Sequence, residues 1–264
     1  MKEKLYNLGN YPKLLKNYFL LGKNTGSSFI LRGKITIVAV MVASTQKPWK
    51  EMYVERFKEA VQETAKWLES EATRFDMDLK VDCQFLTCVT DKEIKPESGY
   101  KMVEEFFGEM NIDLLQRKLE KEYKSNETPI LLGYDLVGRS FAFRQDKDSR
   151  YVDEISTVFR TGSRFDWKVM AHELLHQFGA ADFYFPEKIR ICANKYLGSS
   201  IMDCHNNAVV DDLTAYLVGW KSVVSKNTYK FIKKTMWMST EEYVKQFDKD
   251  YNLNSKIIGK NSKI

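Results

Sequence analysis

Apolar residues crowd the stretch after Lys34, where Ile35, Ile37, Val38, Val40 and Val42 predict a buried strand running to about Ala43. From Pro48 onward the spacing changes. Val54, Phe57, Val61, Ala65 and Leu68 recur at helical intervals and predict an amphipathic helix. Leu79, Val81, Cys83, Phe85 and Thr87 then alternate with polar residues at period two, as a second strand does. Strand, helix and strand make a β-α-β unit, whose strands lie parallel.

Farther on, polar-rich segments around Tyr100 to Tyr123 predict one or two helices. Pro129 to Tyr134 and Arg139 to Arg144 predict two short strands with a turn at Asp135 to Gly138, the second suited to a sheet edge. Another strand is expected at Ile155 to Arg160, followed by a loop and by Asp166 as the cap of a helix starting near Trp167. Beyond Gly179 the pattern predicts irregular chain to about Asn207, a helix from Asp211 to Val218, and a last helix opened by Ser239 and Glu242 as a capping box. Before Lys34, residues 1–33 read as an N-terminal extension, with a short helix at Leu14 to Phe19 and a Gly/Asn/Ser-rich loop from Gly22 to Ser28.

Composition narrows the class. The chain of 264 residues is 44% hydrophobic and 29% charged, which suits a folded protein able to bury a core without disulfides. A net charge of +5 over that length does not point to nucleic acid, although ten lysines against four carboxylates from Trp220 onward make the C-terminal part basic. No apolar run approaches the roughly 20 residues of a membrane-spanning helix. The lysine-rich start lacks a signal-peptide pattern, so a cytoplasmic location is expected. Cys83, Cys88, Cys192 and Cys204 lack paired CxxC spacing; Cys192 and Cys204 flank a short segment and read as buried thiols or, in an oxidising compartment, as a bridge.

The chemistry concentrates in residues 172 to 182, His-Glu-Leu-Leu-His-Gln-Phe-Gly-Ala-Ala-Asp. Two of the chain's three histidines, four apart on a helix, project from one face and can reach one ion. A catalytic zinc takes three protein ligands and keeps a position for water. Asp182 is the candidate third ligand, and Gly179 can adopt the positive φ that ends the helix and turns Asp182 back. Glu173, beside the first ligand, is the candidate general base for the zinc-bound water.

These residues resemble the metzincin pattern HExxHxxGxxH/D, and Ser200-Ile201-Met202-Asp203 looks like the metzincin Met-turn. Aspartate as third ligand, the Asp182-x-Tyr184 pair and a helix ending in Gly219-Trp220 are most similar to the snapalysin-type and immune-inhibitor-A-type bacterial proteases. The resemblance implies an α/β (α+β) catalytic domain with a mixed twisted sheet and an active-site helix over residues 34–179. A smaller C-terminal lobe over 180–264 would carry Asp182 and Met202. It implies one catalytic zinc, a peptide or protein substrate, and Met202 as an apolar floor beneath the metal. By the same resemblance, an edge strand at Ser140, Phe141, Ala142 and Phe143 would pair with the substrate backbone.

Some family features do not transfer. Astacin-like and serralysin-like members carry a tyrosine two residues after the Met-turn methionine, where Cys204 stands here. Tyr184 and His205 are the candidates to support the oxyanion or contact substrate instead, against ordinary packing or surface placement. No cysteine precedes Cys83, so the extension carries no cysteine switch. Two rival functions use the same residues: an inactive zinc-stabilised binding module, and a zinc hydrolase of a non-peptide amide. The number of subunits is not legible in the sequence.

Overall fold

Strand β1 (Gly33–Ser44) is buried on both faces from Ile35 onward, which places it inside a sheet. The structure is a computed structural model and describes residues 5–10, 27–28, 30–92, 94, 99–108, 111–144, 153–203 and 208–235. Beside β1 lie β2 (Leu79–Thr90) and β3 (Ile130–Val137), both parallel to it. β5 (Asp153–Arg160) continues the parallel set, and β4 (Phe141–Arg144) closes it as an antiparallel edge, in the order β2-β1-β3-β5-β4. Among the described residues, seven α-helices accompany these five strands in a mixed α/β fold.

The alternation along β1 divides the core in two. Ile35, Ile37, Ala39 and Met41 face helix α1 (Glu51–Thr73) and helix α4 (Trp167–Gln177), whose Phe57, Val61, Leu68, Met170, Leu174 and Leu175 complete one cluster. Val38, Val40 and Val42 face the other way. There they join Met102 and Val103 of α2 (Gly99–Phe107) and Ile112, Leu115 and Leu119 of α3 (Ile112–Tyr123). Each large apolar side chain so buried contributes about 1.5–3 kcal/mol, so a one-residue slip of β1 would exchange both sets at heavy cost.

α1 approaches β3 closely because Gly133 has no side chain. A methyl group built there would overlap the Phe57 ring, which is itself packed edge-on against Trp49 and Phe165. Gly133→Ala is therefore expected to lower stability by about 1–3 kcal/mol, as overpacking does, and denaturant unfolding measures the loss.

Several local expectations change. The turn expected at Asp135 to Gly138 is strand as far as Val137, because Arg160 of β5 ion-pairs with Asp135 and the ladder resumes at Val137 beyond an irregularity. Ser140 lies outside β4. The stretch expected to be irregular contains α5 (Glu187–Tyr196), and Lys226 to Thr235 forms a further helix, α7, that periodicity did not single out. The two helices pack on each other, burying Ile189 and Ala193 of α5 and Phe231 and Ile232 of α7. Helix α6 (Asp212–Leu217) lies where a helix was expected. The short helix at Leu14 to Phe19, the capping box at Ser239 and Glu242, Cys204 and His205 lie outside the described residues. Cys192 is a free thiol.

The described parts of residues 1–33 are woven into the C-terminal part of the fold. Leu8 and Leu31 are fully buried. Tyr6 exchanges two backbone hydrogen bonds with Val224, at 2.8 and 2.9 Å, and its ring stacks on Tyr229. Leu31 N–H donates to Val218 O, and Trp220 Nε1 donates to Leu31 O. Among the described residues, no helix is long and apolar enough to cross a membrane.

Candidate metal centre

Helix α4 starts where Asp166, with extended backbone, accepts a hydrogen bond from Lys168 N at 3.0 Å. Its inner face is locked to the sheet by Gln177. The Gln177 amide accepts from Ile130 N at 3.1 Å and donates to Ile130 O at 2.9 Å and to Ser156 Oγ at 2.6 Å. Ser156 Oγ in turn donates to the backbone oxygen of Glu173, at 2.8 Å. Fully buried polar groups are costly unless satisfied, so this network holds the helix, and Glu173 on it, at one height over the strands.

The helix ends in a Schellman arrangement. Ala180 N–H reaches back to Leu175 O at 3.1 Å and Gly179 N–H to His176 O at 2.9 Å, with Gly179 at φ +90°. The reversal sends the chain back along the helix, so that Ala180 O meets His176 Nδ1 at 2.9 Å and Asp182 arrives beside both histidines. Alanine at position 179 would be forced into a φ that side chains rarely adopt. Gly179→Ala is expected to lose more than about 1 kcal/mol of stability and to weaken metal binding together, read by thermal unfolding and metal titration.

His172 and His176 have their protons placed by the backbone. A carbonyl oxygen can only accept, so His172 Nδ1, 3.0 Å from Ile201 O, and His176 Nδ1 each carry a hydrogen. A neutral ring then presents a lone pair at Nε2. The two Nε2 atoms lie 3.2 Å apart, and Asp182 Oδ1 lies 3.0 Å from one and 3.3 Å from the other. That oxygen is buried without a hydrogen-bond partner among the described residues. Three electron-pair donors thus converge, an unfavourable meeting unless a cation joins them.

The spacing suits zinc. Ligands bound at about 2.0–2.1 Å to a tetrahedral ion lie roughly 3.3 Å from one another, close to the three separations here. Two imidazoles and a carboxylate are also the donor set zinc accepts. Burial by itself raises the Asp182 carboxyl. When an imidazole gains a second hydrogen at Nε2 in the metal-free protein, the charge of His176 and hydrogen bonds from the rings outweigh burial and hold the group well below the usual carboxylate range. A bound cation acts with the same sign.

No family model matches the chain, and no curated protein matches it. A solved structure described as that of a chaperone-substrate complex is similar over 79% of this chain, at 13% identity and a TM-score of 0.38. The match spans about a third of that structure's chain, 34% of its length, and carries no argument about fold or function.

Around the centre, Met202 is fully buried, and its carbonyl accepts from Phe183 N at 2.9 Å. Tyr184 is half-buried; its ring lies 6.1 Å from that of His172, and its hydroxyl oxygen accepts from Arg139 Nη2 at 3.3 Å. Glu173 is buried on α4, three residues before His176 and so on a neighbouring part of the helix surface.

Of the edge segment expected at 140–143, Phe141, Ala142 and Phe143 belong to β4, which α4 packs against. Ser140 Oγ instead accepts a hydrogen bond from Phe159 N, and the Phe141 ring packs toward Phe159. Sequence reasoning did not pick out Gln177, Ser156 or Arg139 for the site. Each acts through a contact with a residue distant along the chain, and no local pattern marks it.

Proposed function

We propose that this chain is a zinc-dependent endopeptidase related to the metzincins with aspartate as third ligand. The observation that carries the reading is the convergence of His172 Nε2, His176 Nε2 and Asp182 Oδ1, next to a buried glutamate on the same helix. His172, His176 and Asp182 would hold the ion. When bound, zinc supplies Lewis acidity, lowering the pKa of a water to about 7 and polarising a carbonyl oxygen.

The remaining work belongs to side chains of this protein. Glu173 takes a proton from the attacking water as the water oxygen bonds to the carbonyl carbon, and returns it to the leaving nitrogen as the C–N bond breaks. Tyr184, whose ring lies 6.1 Å from that of His172 and whose phenol oxygen accepts from Arg139, is the candidate donor to the oxyanion. An extended peptide would add to the edge of β4, whose ladder partner among the described residues is β5 alone.

The test pairs metal analysis of the purified chain with digestion of a mixed peptide library. One zinc per chain, with cleavage that a chelator stops and zinc restores, supports the peptidase. Zinc without cleavage favours a binding module or a hydrolase of another amide. Failure to hold zinc under chelator-free conditions removes the basis of the reading.

A further inference from the structure

Asp211 is a buried carboxylate that the reaction does not use, and its hydrogen bonds exceed those of a helix cap. Oδ1 does the ordinary capping work for α6, accepting from Leu213 N at 2.9 Å and Thr214 N at 3.1 Å. Oδ2 accepts from Thr214 Oγ1 at 2.5 Å and from Ser200 Oγ at 2.6 Å. The Ser200 hydroxyl, having donated its proton to Asp211, accepts from Met202 N at 3.0 Å. The carboxylate is therefore joined through one hydroxyl to the turn at residues 200–203.

That turn faces the metal centre with two carbonyls. Ile201 O accepts from His172 Nδ1, and Met202 O accepts from Phe183 N, the residue following Asp182. On its other side the turn is tied by Ile201 N to Val209 O at 2.9 Å, and the next residue, Val210, donates its N–H to the buried Glu71 carboxylate of α1 at 2.7 Å. Burial pushes the Asp211 carboxyl up, against the hydrogen bonds from Ser200, Thr214 and Leu213 that favour its charge.

We propose that Asp211 and Ser200 are positioning residues of the metal centre, acting through the turn at 200–203 to aim His172 and Asp182 at one point. The inference rests on the zinc reading above. Ile201 O is the group of the turn that touches a ligand, and removing partners of that kind commonly weakens metal binding by about 10–100-fold; Ser200 and, behind it, Asp211 hold the turn that carries it.

The neighbouring carboxylate provides the control. Asp212 accepts from Ser225 N at 2.7 Å, from Thr228 Oγ1 at 2.6 Å and from Lys221, all on the side of α7. It shares the start of α6 with Asp211 but is not linked to the turn.

The experiment measures zinc affinity of the full chain by competition with a chromophoric chelator, with the unfolding midpoint recorded for each variant. Ser200→Ala breaks the relay and leaves the bonds of Asp211 to α6; Asp211→Asn turns a donor toward the two hydroxyls. Each is expected to weaken zinc binding about tenfold, the low end of that range, because each acts through the turn rather than on a ligand directly. The double variant should lose no more than the larger single loss, because both interrupt one path. Asp212→Asn should lower the midpoint and leave zinc affinity within about twofold.

Wild-type affinity in Ser200→Ala overturns the proposal, and this variant decides the matter should Asp211→Asn not fold. Equal weakening by Asp212→Asn also overturns it, as the sign of general destabilisation. A wild-type chain without affinity for zinc would overturn the zinc reading itself, and this inference with it.

Discussion

Replacing Glu173 by glutamine is expected to lower peptide hydrolysis by about 10²–10⁴-fold while zinc stays bound at the wild-type ratio. The substitution keeps volume and removes the basic oxygen, so the water proton has no acceptor at that position. His172, His176 and Asp182 keep their Nε2 and Oδ1 atoms, and the Gln177–Ser156 network holds the helix through the backbone oxygen at 173 rather than through its side chain. Steady-state kinetics on the best library peptide, with metal content measured on the same sample, checks both parts. Wild-type turnover in Glu173→Gln would remove Glu173 from the mechanism. Loss of zinc together with activity would make it a ligand or a structural group.

The second large effect is on stability. With free zinc at one hundred times its dissociation constant, binding to the folded state alone adds about 2.7 kcal/mol. For a chain of this size that corresponds to about 5–11 °C in unfolding midpoint. Chelation should remove this increment from the wild type and little of it from Asp182→Asn, whose amide is a poor third ligand. Calorimetric scans with and without chelator read the difference, and equal midpoints in wild type would contradict a structural and catalytic ion.

Acid should act in two stages. Metal ligands bind only in their deprotonated forms, so acid releases the metal and the zinc-dependent increment goes first. In the metal-free protein the Asp182 carboxyl is held below its ordinary value of 3.8, so its contribution is fully present above that value. It is lost only as pH falls through the lowered one.

The five residues from His172 to Asp182 were legible in the sequence because their geometry is local. Four residues make one helical turn, and a glycine three beyond His176 can reverse the chain whatever surrounds it. Strands β1 and β2 and helix α1 were legible for a similar reason, since their apolar periods follow directly from the faces they bury. Helices α5 and α7 were not. Each is short, and what holds them is the contact of Ile189 and Ala193 with a partner about 40 residues away, where local preference carries little weight.

By itself, the sequence of this protein determined the alternation that divides its core and the order of the groups that converge at the site. Those features depend on residues within one or two turns of each other. Tertiary structure alone decided that Ile201 O sets the His172 tautomer, that Gln177 grips β3, and that Asp211 reaches Ser200. It also decided that Leu31, from a segment read as an extension, accepts the Trp220 indole hydrogen beside the C-terminal helices. Each is a hydrogen bond whose partners meet only when the packed layers bring distant backbone together, and burial then makes it costly to leave unmade.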